Sequence, residues 1–162
     1  MDECRRQLSK IVVEVFNTML DTQVSPSKVP WEPGLECVVG VVRLSGGWEG
    51  AVSFQCSLRQ AARFSEQITR KPCPLKPNRI VRDVVGELAN VITGNIKCFF
   101  PRGVNTSFPL VMYGTEHSIR IAGPVVRLPF LVEDGEVFWI GLRSLNAGEA
   151  QGVRSTSLAV VA

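Results

Sequence analysis

The chain has 162 residues, 45% of them hydrophobic and 20% charged, with a formal net charge of +3. That length suffices for one domain with a core of its own, and the composition excludes a disordered segment. The charge is too small to point to nucleic acid, whose binding draws on many phosphate contacts at once, and apolar runs such as residues 37–42 are strand-sized, far too short to span a membrane.

Residues 1–162 are accordingly read as a single domain, with a tail from about residue 144 that stays small and polar until residues 158–162. The apolar run from Ile11 to Leu20 is broken by Glu14 and Asn17 and precedes no small-residue cleavage site, so a cytoplasmic location is expected. Five cysteines form an odd set without a Cys-x-x-Cys pair, which fits reduced thiols and argues against zinc or redox chemistry.

From Cys4 to Leu20 apolar residues recur at spacings of three and four, the period of an amphipathic helix. A Pro-rich loop ends it. Residues 36–44 and 48–56 read as strands joined by hairpin chemistry at Ser45-Gly46-Gly47. Ser57 suits the N-cap of a second helix reaching about Arg70, where Pro72, Pro74 and Pro77 forbid continuation. A third helix follows from about Asn78 to Phe100, stopped by Pro101. Strand character returns at 108–113, at 118–132 with a kink at Gly123-Pro124, and at 136–143 after an Asp134-Gly135 turn. The order predicts an α+β fold, an antiparallel sheet with helices packed on one face.

At 100° per residue, Asp83, Glu87, Asn90, Gly94 and Lys97 share one narrow arc of the third helix, while Val84, Val85, Leu88, Val91, Ile92, Ile96 and Phe99 occupy the opposite one. Gly86, Ala89 and Thr93 on the flank are small enough for another backbone to approach. Asn95 falls within the apolar arc and needs a partner if buried. A carboxylate and an amide one turn apart suit docking and positioning: the amide both donates and accepts, so it can orient a water. Hydrolysis of an acyl phosphate asks mainly for such positioning, because fixed donors and a metal stabilise its transition state.

The segment from Asp83 to Asn90 resembles the Asp/Ser-x-x-x-Glu-x-x-Asn signature of the CheC/CheX/FliY chemotaxis phosphatases. Val91 to Lys97 is similar to the continuation of that helix in CheX-like members, and Ser107-Phe108-Pro109 resembles their downstream Ser-x-Pro. The resemblance implies a CheC/CheX-like fold and a phosphatase acting on the phospho-aspartate of a CheY-type response regulator receiver domain. It gives Glu87 the role of pairing with a receiver lysine and Asn90 that of holding the attacking water. Asp83, Gly86, Gly94, Lys97 and Pro109 become candidate partner contacts. It also implies a homodimer, for which an exposed edge strand is a natural seam. No metal or cofactor is expected on this chain; Mg2+ is expected in the receiver's own acidic pocket. The interval from Asn90 to Pro109 is shorter than the family pattern. A second Glu-x-x-Asn, Glu14 and Asn17 on the first helix, has Lys10 where an acid or serine belongs and lacks the proline, and reads as vestigial or accidental.

The competing class is a non-catalytic adaptor of the same fold that binds a receiver or a flagellar switch component. A nucleic-acid reading would rest on Arg70, Lys71, Lys76, Arg79 and Arg82, but lacks interleaved aromatics; these residues read as a solvated connector. His117, the single histidine, reads as surface, and Trp31, Trp48 and Trp139 as core.

Overall fold

The computed structural model describes residues 2–30, 36–100, 103–115 and 125–144. In chain order they form α1 (Asp2–Leu20), β1 (Val24–Pro26), β2 (Glu36–Gly46), β3 (Gly50–Ser57), α2 (Leu58–Thr69), α3 (Arg79–Ile96), a 3-10 turn (Lys97–Phe99), β4 (Val104–Thr106), β5 (Leu110–Thr115), β6 (Val125–Val132) and β7 (Val137–Ser144). The strands make one antiparallel sheet in the order β1-β6-β7-β3-β2-β4, with β5 also on β2. The long strand β2 is shared lengthwise along its outer edge: β5 pairs with Glu36 to Val41, and β4 with Leu44 to Gly46.

Strand alternation sorts the core. Val38, Val42 and Leu44 of β2, Val52, Phe54 and Cys56 of β3, and Phe138, Ile140 and Leu142 of β7 are all buried, and their spacing of two places each set on one face. The helices cover that face, so the α+β architecture is as expected. Phe16 of α1 stacks on Phe138 at 4.4 Å and meets Phe64 of α2 edge-on at 5.3 Å, geometries that favour aromatic pairs beyond their burial.

Local chemistry sets the helix ends. Ser57 caps α2 by accepting the Gln60 N–H at 3.0 Å, satisfying an orphan donor of the first turn. Asn78 caps α3 through the Val81 N–H at 3.0 Å, and its backbone carbonyl accepts the Tyr113 hydroxyl at 2.9 Å, tying the start of α3 to β5. Glu136 at the head of β7 holds Arg59 at 2.7 Å and accepts the Ser57 hydroxyl at 3.1 Å, clamping α2 to the last hairpin.

Several expectations change. The third helix ends at Ile96 and tightens into the 3-10 turn, so Lys97 sits just past it. Asn95 is exposed and donates to the Val91 carbonyl one turn back, at 2.8 Å. β3 starts at Gly50, and Trp48 lies in the turn before it, buried against Phe100 at 4.5 Å; burial of the indole outweighs strand propensity there. The two short strands β1 and β4 have no counterpart in the sequence reading. β5 starts at Leu110, not Phe108. Trp31, Pro101, His117, the Gly123-Pro124 kink and the tail lie outside the described residues. No helix among the described residues is long and apolar enough to cross a membrane.

Candidate functional site

The position of α3 is set by the absence of a side chain beneath it. A Cβ on Gly40 of β2 would stand 2.9 Å from the Val85 carbonyl and 3.0 Å from the Ala89 Cβ; glycine there lets the helix settle directly on the strand. Val81, Val84, Val85, Leu88, Ala89, Ile92 and Ile96 are buried on the inner side, which fixes the rotation of the helix. The outward stripe follows: Asp83, Glu87, Asn90 and Gly94 are all exposed, with Lys97 half-buried at its end.

Glu87 and Asn90 are three residues apart, hence neighbours on one helical face. Asp83, one turn earlier, lies 3.7 Å from the Arg79 guanidinium with both side chains largely in water, a contact worth little. The stripe is therefore an acidic and amide-bearing ridge. Arg70, Lys71, Lys76, Arg79 and Arg82 are exposed along the connector and first turn of α3, as expected of a solvated cluster.

Pro109 closes one flank. A Cβ added to Gly86 would meet the Pro109 ring at 3.4 Å and Val111 at 3.5 Å. Gly86, which the sequence marks for close approach by another backbone, is thus buried beneath this chain's own segment and seats Pro109 on α3 one residue before Glu87. Ser107 anchors that segment from the other side: its N–H donates to the Arg43 carbonyl at 2.9 Å, its Oγ accepts the Arg43 N–H at 3.0 Å, and its hydroxyl donates to the Phe108 carbonyl at 2.8 Å. Gly94 has nothing within 4 Å of where a Cβ would stand, so it leaves open space on the ridge. Glu14 and Asn17 are exposed on α1.

Asn90 presents two donors and an acceptor to solvent and Glu87 an acceptor, on a scaffold too well packed to move them far. That arrangement can hold a water and pair with a cation, but it has no nucleophile. A cavity of about 590 Å3 lined by Val29, Ser57, Arg59, Leu75, Glu136 and Trp139, among others, contains no residue of α3. Sequence reasoning missed the placement of Phe108, which stands 95% exposed beside this flank; a Phe-Pro step in an edge segment was the available signal, since proline cannot donate to a ladder.

Comparison with known proteins gives these features a context. Chemotaxis protein CheX from Vibrio vulnificus superposes with a TM-score of 0.71 at 24% identity, covering 87% of this chain and 95% of that one. The CheX–CheY–BeF3–Mg2+ complex from Borrelia burgdorferi matches at 0.66 and 17% identity, over 86% and 96%. FliY from Thermotoga maritima matches at 0.62 and 15% identity, over 90% and 91%. No curated protein matches the sequence. The family model of the chemotaxis phosphatase CheX covers residues 38–131, from β2 through the ridge of α3 and the Pro109 seat into β6, and the chain belongs to that family.

Proposed function

We propose that the chain is a phosphatase that hydrolyses the phospho-aspartate of a CheY-type receiver domain, with Asn90 holding the attacking water and Glu87 docking the receiver. The observation that carries this reading is the ridge: Glu87 and Asn90 lie one turn apart and exposed, on a helix whose opposite face buries Val81, Val84, Val85, Leu88, Ile92 and Ile96. The relative from Borrelia burgdorferi was solved in complex with CheY, which supports a receiver as the partner here.

In this mechanism Glu87 pairs with a lysine of the receiver and sets the register, so that Asn90 enters the acidic pocket. The Asn90 amide accepts from and donates to a water placed in line with the phosphorus; holding reactant and water together replaces an unfavourable encounter. The water oxygen bonds to phosphorus as the bond from phosphorus to the aspartyl oxygen breaks. The aspartate leaves as carboxylate, and both water protons depart with inorganic phosphate. Mg2+ in the receiver's pocket supplies charge neutralisation. Asp83 and Lys97 extend the docking ridge, Gly94 leaves room on it, and Gly86 and Pro109 hold its flank. A receiver substrate places the chain in the cytoplasm, and the family likeness supports a homodimer, which light scattering on the purified protein would test.

The experiment is decay of a phosphorylated CheY-type receiver with Mg2+, alone, with catalytic amounts of this protein, and with its Asn90→Ala variant. Acceleration lost in Asn90→Ala while binding persists is the expected result. Binding without acceleration refutes the enzymatic reading and leaves an adaptor.

A further inference from the structure

The sheet edge beside α3 is irregular. β4 pairs Thr106 with Leu44 and β5 pairs Leu110 with Val41, so residues 107–109 oppose only Val42 and Arg43. An extra residue in one strand of an antiparallel pair bends it and re-aims a side chain, and such bulges gather at sheet edges and next to functional sites. Both neighbours of Phe108 are pinned, Ser107 to Arg43 by backbone and hydroxyl bonds, and Pro109 on Gly86. Phe108 takes up the excess and stands 95% exposed; Leu110, which pairs with Val41 next to Gly40, belongs to the face of the sheet away from α3.

A lone exposed apolar residue is ordinary on a protein surface. Phe108 differs in being held out by an anchored bulge and in adjoining Pro109, which packs on Gly86 of α3. Aromatic side chains with few rotatable bonds, displayed on fixed backbone, bury much area for little lost entropy and are typical interface anchors. The ridge itself offers a carboxylate and an amide, and an exposed ion pair adds little affinity. A partner that engages Glu87 and Asn90 therefore needs apolar contact nearby. Gly86, on which Pro109 is seated, lies one residue before Glu87 and one helical turn before Asn90, so Phe108 is within reach of a domain-sized body that engages those two residues.

We propose that Phe108 is a docking anchor for the receiver domain, seated in an apolar recess beside the receiver's acidic pocket while Glu87 and Asn90 engage the pocket itself. This rests on the phosphatase reading above. The probe is a CheY-type receiver activated with beryllofluoride and Mg2+, titrated calorimetrically against wild type, Phe108→Ala, Phe108→Leu and Asn90→Ala, with phospho-receiver decay measured in parallel. Phe108→Ala is expected to raise Kd and KM by about tenfold, the scale of a lost interface anchor, with kcat and thermal melting unchanged and with Phe108→Leu retaining most of the affinity. Wild-type Kd and KM in Phe108→Ala, beside an inactive Asn90→Ala, would overturn the anchor and leave the phosphatase standing. A drop in molecular mass on Phe108→Ala would assign the side chain to a second copy of this chain and likewise overturn the proposal. If wild-type protein neither binds nor accelerates the receiver, the function and the anchor fall together.

Discussion

Gly40 is the position on which the site's placement is most open to measurement. Replacing it with alanine puts a methyl group 2.9 Å from the Val85 carbonyl oxygen, 3.0 Å from the Ala89 Cβ and 3.2 Å from a Val85 methyl. The nearest atom belongs to helix backbone, so relief requires α3 to lift off β2, which loosens the packing of its buried Val84, Val85, Leu88 and Ile92. Overpacking of this kind costs about 1–3 kcal/mol, offset by about 0.4–1 kcal/mol because alanine stiffens the unfolded chain. The net loss, about 1.3 kcal/mol at the centre of these ranges, corresponds to a fall in Tm of about 3–5 °C for a protein of this size. Thermal and urea unfolding followed by circular dichroism, with fluorescence of the buried Trp48 and Trp139 as a second probe, would read it. An unchanged or raised Tm for Gly40→Ala would refute the claim that this glycine seats the helix.

Gly94 on the same helix should respond with the opposite sign: nothing lies within 4 Å of its added Cβ, so Gly94→Ala is expected to stabilise by about 1 kcal/mol through helix propensity, raising Tm in the same melting assay. Burial pushes the Cys56 thiol well up, with Cys37 and Glu136 adding in the same direction. The native state thus keeps a proton that the unfolded chain releases above about pH 8.5, so the contribution is fully present below that pH and is lost as pH rises, by up to roughly 1.4 kcal/mol per pH unit. Urea unfolding between pH 8 and pH 10 should show a steeper loss for wild type than for Cys56→Ala, and equal slopes would remove the thiol from the account.

Where the chain's periodicities were strong, they predicted the elements. The spacing of apolar residues along α1 and α3, the serine and asparagine before α2 and α3, and the alternation through β3 and β7 are local signals, and local physics decides them. The same holds for the ridge: Asp83, Glu87, Asn90 and Gly94 share a face because a helix repeats every 3.6 residues, and burial of the opposite face follows from its valines and leucines. The short strands β1 and β4 could not be read this way. Three residues carry no usable period, and they count as strands only because Val132 and Leu44 stand opposite them.

The sequence alone determined the fold class, the family resemblance and the identity of the outward stripe on the third helix, since each depends on contacts within about one turn or one strand pair. Tertiary structure decided what surrounds that stripe. Gly40 and Gly86 look alike as letters, yet one seats the helix on the sheet and the other seats Pro109 on the helix, because their neighbours come from segments tens of residues away. The exposure of Phe108 was settled in the same manner: a mismatch of one residue between two strands sharing the edge of β2 leaves it without a place in the sheet, and no pattern within the strand itself records how many residues its partner has.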